Sequence, residues 1–205
     1  MFALVESGSI IKYLNGNKGI QIGDLKYPRA IYTLWTEAER NAIGIYEVVF
    51  DDSNKKDERW YKNTNQSYAF ANNKVTATYG TATAKAHADT TWTQEQIDDG
   101  DAPDGADTNT VATRGLKYNL IQTVKAQAAS ELARTDWYIT RNAEKSTAIP
   151  SAITTHRDLV RSRQAAMETS ITNASDTPAL ETLYTYTRDS DGVSSRPLAE
   201  IPTLD

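Results

Sequence analysis

The sequence of 205 residues contains no cysteine, only two histidines (His87 and His156) and no apolar run long enough to cross a membrane. Without cysteine the chain has no disulfide, no thiolate metal ligand and no cysteine nucleophile. A catalytic zinc ion usually takes three protein ligands, so two histidines far apart in the sequence favour exposed or structural roles. We therefore expect no metal, no cofactor and no membrane partner.

Basic charge is also scarce, since 22 Lys and Arg residues oppose 27 Asp and Glu residues and give a net charge of -5. Non-specific binding of nucleic acid needs clustered basic side chains, so we expect no nucleic-acid partner. The apolar content of 39% is low and favours an elongated chain or one that completes its burial against a partner. The first residues lack a basic region followed by an apolar run, so we expect synthesis in a cytoplasm without export.

Motifs of catalysis are missing too. Residues 80–85, G-T-A-T-A-K, lack the remainder of a phosphate-binding loop, and no G-x-S-x-G sequence occurs. The Asp-rich residues 98–110 do not have the ligand spacing of a calcium-binding EF-hand loop. The acidic pairs fall at an expected helix start, a turn and a linker, and nothing in their spacing indicates a glycosidase cleft. We expect that the protein is not an enzyme.

The hydrophobic pattern changes from a period of 2 to a period of 3.6 near Gly115, which predicts an α+β fold. Residues 1–91 are predicted to form a β-rich N-terminal domain, an antiparallel meander with one short helix. Residues 92–113 are predicted to be an acidic Gly/Asp linker. Residues 114–205 are predicted to form a helical hairpin, followed by a short third helix and a tail.

Local signals place the elements of the first region. Two apolar runs on either side of a Ser7-Gly8 turn predict a hairpin. Thr36 and Glu39 have the spacing of a capping box. Gly44 is expected to end the helix in the left-handed conformation that glycine favours. These signals predict one short helix over residues 37–43.

The second region has two apolar stripes at helical spacing. The first stripe predicts a helix of about five turns, and the second predicts a helix that begins after Pro150. Thr177 and Pro178 predict the cap and first turn of a third helix. The stripes consist of Leu116, Leu120, Ile121, Val124, Ala128 and Leu132, and of Ile153, Val160, Met167 and Ile171.

Aromatic residues are dense in the first region and include Trp35, Trp60 and Tyr61. Such residues form sugar-stacking platforms or partner interfaces in some proteins. Alternatively, they fill the core of the β-rich domain, which is the interpretation we favour for most of them.

Residues 132–144 read L-x-x-T-D-W-Y-x-x-R-x-x-E, and residues 149–161 read I-P-x-x-I-x-x-x-R-x-x-x-R. This pattern resembles the C-terminal region of phage tail fibre assembly and tail-fibre-associated proteins. Residues 2–10, F-A-L-V-x-x-G-S-I, and residues 35–49, W-T-x-A-E-R-x-A-I-G-I-Y-E-V-V, resemble the N-terminal region of marine phage versions. Together the matches cover most of the chain, with the Asp-rich segment between them.

The resemblance implies a tail-fibre- or baseplate-associated structural or assembly protein that acts through protein–protein contacts. Its partners would be tail fibre or baseplate proteins, in an oligomer or hetero-assembly. The protein would reside in the virion tail, or in the host cytoplasm during assembly. The alternative from another class is a carbohydrate-binding module that reads host surface glycans with aromatics of the first region.

The candidate anchors for partner binding or structure are Trp35, Trp60, Tyr61, Asp136, Trp137, Tyr138, Arg141 and Pro150. Asp136 is expected to cap a helix or to pair with an arginine of the second helix. Pro150 is expected to set the first turn of that helix. Trp137 is expected to insert between the two helices as a buried anchor, and the alternative is an exposed contact point for a partner.

Overall fold

The computed structural model describes residues 1–204, which divide into two compact units. The first unit comprises residues 1–83, and the second begins at Ala84. Strands dominate the first unit and long helices dominate the second. The predicted α+β class is therefore confirmed.

The first unit contains short strands and two short helices. The strands are β1 (Phe2–Glu6), β2 (Ser9–Leu14), β3 (Ile20–Ile22), β4 (Leu25–Tyr27), β5 (Ile45–Asp51), β6 (Tyr61–Lys62), β7 (Gln66–Ala71), β8 (Lys74–Tyr79) and, at the unit boundary, β9 (Thr83–Ala84). The helices are α1 (Ile31–Leu34) and α2 (Glu37–Ala42). The helix predicted over residues 37–43 is α2, and α1 is a second helix that the sequence analysis did not predict.

Five strands form one sheet in the order β2-β1-β5-β8-β7. Its neighbours are antiparallel except for β5 and β8, which run parallel with Val48 opposite Val75. The predicted antiparallel meander is therefore wrong at this pairing and also in strand order, because β1 lies beside β5 while β3-β4 and β6-β9 form separate pairs. Short connections force antiparallel pairing only on consecutive strands, and the 52–73 segment is long enough to bring β8 back beside β5 in the same direction.

The two hairpins of this sheet turn on residues with positive φ. Ser7 and Gly8 have φ of 50° and 79°, and Asn72 and Asn73 have φ of 51° and 56°. Two consecutive left-handed residues match the twist of the flanking strands, which is why Asn and Gly are favoured there. The hairpin predicted at Ser7-Gly8 is confirmed.

Successive side chains of β1 point to opposite sides of the sheet. Each side packs in its own hydrophobic cluster. On one face Leu4 joins a cluster with Ile45 of β5 and Ile31 of α1. On the other face Ala3 and Val5 join a second cluster that includes residues of β5 and β8. The five-stranded sheet forms a half-barrel.

The second unit begins with a strand pair and contains the long helices. Its elements are β10 (Thr90–Thr91), α3 (Gln94–Asp98), β11 (Val111–Thr113), α4 (Leu116–Ala133), α5 (Asp136–Lys145), α6 (Ser151–Asn173), α7 (Thr177–Tyr184), β12 (Thr187–Arg188) and β13 (Ser194–Ser195). Residues 92–113, which were expected to form a linker, belong to this unit and contain α3 and β11. A capping box between Thr93 and Gln96 begins α3, and antiparallel pairing of β10 with β11 closes the loop.

Helices α4 and α6 pack against each other as the predicted hairpin. The buried residues of α4 include Val124 and Ala128, and those of α6 include Val160, Met167 and Ile171. Both predicted stripes are therefore the packed faces. The sequence also predicted that Thr135, Asp136 and Trp137 end the first helix, but Asp136 and Trp137 instead begin a separate helix, α5.

The third predicted helix is α7, and its cap is one residue earlier than predicted. The Asp176 carboxylate accepts from the backbone amide of Ala179 at 2.8 Å, so Asp176 is the N-cap and Thr177 is already in the helix. Aspartate is among the strongest N-capping residues because its carboxylate also suits the positive end of the helix dipole. Thr177 instead donates its hydroxyl hydrogen to the carbonyl oxygen of Lys85 at 2.6 Å.

Candidate partner-binding site

Helix α5 lies on the surface of the second unit and has no buried residue. The side chains of Trp137 and Ile139 are 52% and 41% exposed. A ten-residue helix of this kind does not contribute a core face, so packing within the unit does not explain its large apolar side chains.

The expectation that Trp137 is a buried anchor is wrong. A new helix starts at Asp136, and this places Trp137 in its first turn, facing solvent. The buried residue of the turn is Thr135, which is 1% exposed and donates its hydroxyl hydrogen to the Leu132 carbonyl at 2.9 Å. Trp137 is therefore exposed, as the alternative required, and its contact with a partner stays a prediction.

Trp137 is nevertheless held in a defined position by its neighbours. Its ring centroid lies 3.9 Å from that of Tyr138, with the two planes at 33°. The guanidinium carbon of Arg141 lies 4.6 Å from the Trp137 centroid and 5.3 Å from the Tyr138 centroid. Such contacts restrict the rotamers of all three side chains. We call these three residues the α5 platform.

Arg157 of α6 fixes the turn from which the α5 platform projects. Its Nη1 lies 2.8 Å from the Leu132 carbonyl oxygen, 2.7 Å from Thr135 Oγ1 and 2.8 Å from Asp136 Oδ1. The carbonyl oxygen of Leu132 belongs to the last turn of α4 and also accepts from the backbone N–H of Thr135 at 3.0 Å. The predicted pairing of Asp136 with an arginine of the second helix is thus confirmed.

The other end of α5 is held by a left-handed residue. Ser146 has φ of 55° and donates its backbone N–H to the Asn142 carbonyl at 2.8 Å. The side-chain amide of Asn142 donates to the Thr147 carbonyl at 2.8 Å. Pro150 is the N-cap of α6, and its carbonyl accepts from Ile153 N at 3.0 Å, so its predicted role is confirmed. Both ends of α5 are therefore structurally defined.

A second polar cluster lies next to this turn, centred on the buried carboxylate of Glu131. It accepts hydrogen bonds from Arg134 Nη1 at 2.9 Å, from His156 Nε2 at 3.0 Å and from the backbone N–H of Leu204 at 2.7 Å. An ionised carboxylate only accepts, so the proton of the imidazole lies on Nε2. Burial raises the pKa of Glu131, but these hydrogen bonds lower it by more, and the net direction is down.

This cluster was missed from the sequence, although His156 was assigned to an exposed or structural role. The structural role is the correct one, because His156 is buried and bonded to Glu131. The only available signal was the presence of charged residues, Glu131 and Arg157, beside apolar stripe positions. Such charges are usually solvated, so sequence alone does not separate the two cases.

The remaining predicted anchors belong to the first unit and are not part of the α5 platform. Trp60 and Tyr61 are 3% and 5% exposed, which confirms the core interpretation for both. Trp35 is half-buried, and its ring meets the edge of Tyr27 with centroids 5.9 Å apart. All three residues therefore pack within the first unit.

Among residues 1–204, no group of three or more His, Cys, Asp or Glu side chains could hold a metal ion. No helix in the same range is long and apolar enough to cross a membrane. Comparisons of the chain with family models, with curated proteins and with solved structures give no match. The resemblance of residues 132–161 to tail-fibre-associated proteins therefore stays a prediction from the sequence.

Proposed function

We propose that this protein is a non-catalytic structural or assembly component of a bacteriophage tail, which binds a tail fibre or baseplate protein through the α5 platform. The observation that carries the proposal is the exposure of Trp137 on a helix without any buried residue. The protein would act in the virion tail, or in the host cytoplasm during assembly.

The composition of the platform suits a protein partner. Trp, Tyr and Arg are the residue types most enriched among those that dominate interface binding energy. All three meet in Trp137, Tyr138 and Arg141. Because their contacts already restrict them, binding a partner orders few additional rotamers, and this lowers the entropic cost of association.

The choice of a phage tail partner depends on the sequence motif. Asp136, Trp137, Tyr138 and Arg141 are the residues of the T-D-W-Y-x-x-R pattern. Asp136 fixes the turn through Arg157, and the other three form the platform, in which Trp137 is exposed and Tyr138 and Arg141 are half-buried. The residues that carry the resemblance are therefore also those that form and orient the surface.

The carbohydrate-binding alternative for the first unit has less support. Trp60 and Tyr61 are buried, so their ring faces are closed to a sugar. Trp35 is half-buried against Tyr27.

The first test is mass spectrometry of purified virions of the phage that encodes this chain. A second test is capture of recombinant tail fibre and baseplate proteins of the same phage by the immobilised chain, with Trp137→Ala beside the wild type. Tyr118→Ala is a matched control, because Tyr118 is an exposed aromatic of α4 that contacts Arg114 outside the platform. Capture of none of these proteins, or equal capture by all three chains, would contradict the proposal.

A further inference from the structure

A groove of about 750 Å³ runs along α4 in the second unit. One wall is the face of α4 that carries Gln127 and Ser130, and the other is the extended segment that contains Arg196, Glu200 and Thr203. The volume falls within the range of roughly 300–1,000 Å³ that is usual for small-molecule sites. None of the α5 platform residues lines it.

The extended wall of the groove is held at both ends. At one end Leu198 is almost fully buried, and its backbone N–H donates to the Leu183 carbonyl at 3.0 Å. At the other end the N–H of Leu204 donates to Glu131 at 2.7 Å, and its carbonyl accepts from Arg134 Nη2 at 2.9 Å. The groove is therefore preformed and does not need a ligand to order its wall.

The charges that line the groove are already compensated. Glu131 pairs with Arg134 at 2.9 Å. Glu200 lies 3.4 Å from Arg196 and also accepts from the hydroxyl of Tyr186. With each carboxylate paired to its own guanidinium, the groove has no net excess of either sign that would attract an anion such as a phosphate or a cation such as an amine. An uncharged ligand suits these walls.

Polar groups in the groove remain available to such a ligand. Within the part of the chain that the structure describes, no hydrogen bond is made by the side chains of Gln127, Ser130 or Thr203, which all line the groove. An amide and two hydroxyls can each donate and accept. They match a ligand whose own groups also donate and accept, as hydroxyl groups do.

An aromatic face extends the groove. A second depression of about 360 Å³ shares Arg196 and Glu200 with the first and is lined by Tyr186. Tyr186 is 54% exposed. Its hydroxyl donates a hydrogen bond to Glu200, and the guanidinium carbon of Arg196 lies 5.2 Å from its ring centroid. The ring is thus positioned and still presents apolar surface on which a ligand can pack.

We propose that this groove binds a neutral oligosaccharide. Its hydroxyl groups would bond to Gln127, Ser130 and Thr203, and the C–H face of one sugar would pack on Tyr186. Two depressions in series suit several linked sugar units better than one. The site lies in the second unit and is independent of the α5 platform, so it adds a glycan-reading function to a protein-binding component.

The test is a glycan array that carries neutral and acidic oligosaccharides, followed by titration calorimetry with the best neutral ligand. We expect neutral glycans to bind in preference to acidic ones. Tyr186→Ala and Gln127→Ala should each weaken binding by about tenfold or more. Tyr118→Ala should leave the affinity unchanged, because Tyr118 lies outside both depressions.

Thermal melts of each variant separate loss of the site from loss of the fold. Gln127 and Tyr186 are both exposed, so folded variants are expected. The inference is overturned if no glycan binds, if acidic glycans are preferred, or if both variants bind as the wild type does. Each of these results leaves the capture of tail proteins by the α5 platform untouched, since that capture depends on Trp137.

Discussion

Asp136 and Arg157 are 21 residues apart and meet with Oδ1 and Nη1 at 2.8 Å, joining the first residue of α5 to α6. The two members of this ion pair differ in environment. The arginine side chain is 10% exposed, whereas that of the aspartate is 61% exposed. The guanidinium also donates hydrogen bonds to the Leu132 carbonyl and to the Thr135 hydroxyl oxygen, so it stabilises more than the ion pair.

Removal of Arg157 should therefore cost more stability than removal of the charge on Asp136. Arg157→Ala removes a largely buried guanidinium, leaves Thr135 Oγ1 without a donor and takes one of several donors from the Leu132 carbonyl. We expect a loss of about 2–4 kcal/mol in the free energy of unfolding. Asp136→Asn alters an exposed partner and should cost about 1 kcal/mol or less. Urea denaturation of both single variants and the double variant measures the coupling. Equal losses for the two single variants would show that Arg157 acts only through Asp136.

Trp137→Ala should weaken partner binding with little change in stability. The side chain is half exposed, so the free energy of unfolding should change by about 0.5 kcal/mol or less. As a central interface aromatic, its loss should cost about 2 kcal/mol of binding, or roughly 30-fold in Kd. Far-UV circular dichroism melts and calorimetry with the captured tail protein test the two parts separately. A large drop in melting temperature would restore the buried-anchor interpretation.

The Glu131 cluster should make the second unit acid-sensitive. The folded state lowers the pKa of Glu131 below its ordinary value of 4.5, so the ionised form is favoured by folding. Its contribution is complete above about pH 4.5 and is lost as the pH falls through the lower pKa of the folded state. Glu131→Gln should be less stable than the wild type at pH 7. The difference between their free energies of unfolding should become smaller toward pH 3. If urea titrations at pH 7, 5 and 3 give the same free-energy difference between variant and wild type, the lowered pKa of Glu131 is contradicted.

Gly44 should tolerate alanine far less well than Gly8. Both residues have positive φ, 80° and 79°. A Cβ at Gly44 would lie 2.6 Å from the backbone carbonyl oxygen of Val5, whereas one at Gly8 would meet nothing within 4 Å. Gly8→Ala should cost about 1 kcal/mol from backbone strain alone, and Gly44→Ala should cost at least 1 kcal/mol more. Thermal unfolding of the two variants compares them directly, and equal melting temperatures would rule out the close approach.

Local signals in the sequence predicted much of the secondary structure. The capping box of Thr36 and Glu39 begins α2, and both its hydrogen bonds form between residues three apart. The period of 3.6 after Gly115 predicted the packed faces of α4 and α6. Interactions between near neighbours depend little on the rest of the chain, which is why these elements can be predicted from the sequence.

The sequence by itself thus determined the α+β class, the hairpin turn at Ser7-Gly8 and the two long helices. Only the tertiary structure decided that β8 runs parallel to β5, that Trp137 faces solvent and that Glu131 and His156 are buried together. These features depend on which distant segments meet. The same tryptophan is an anchor or an exposed contact according to whether a neighbouring element covers it, and no local pattern contains that information.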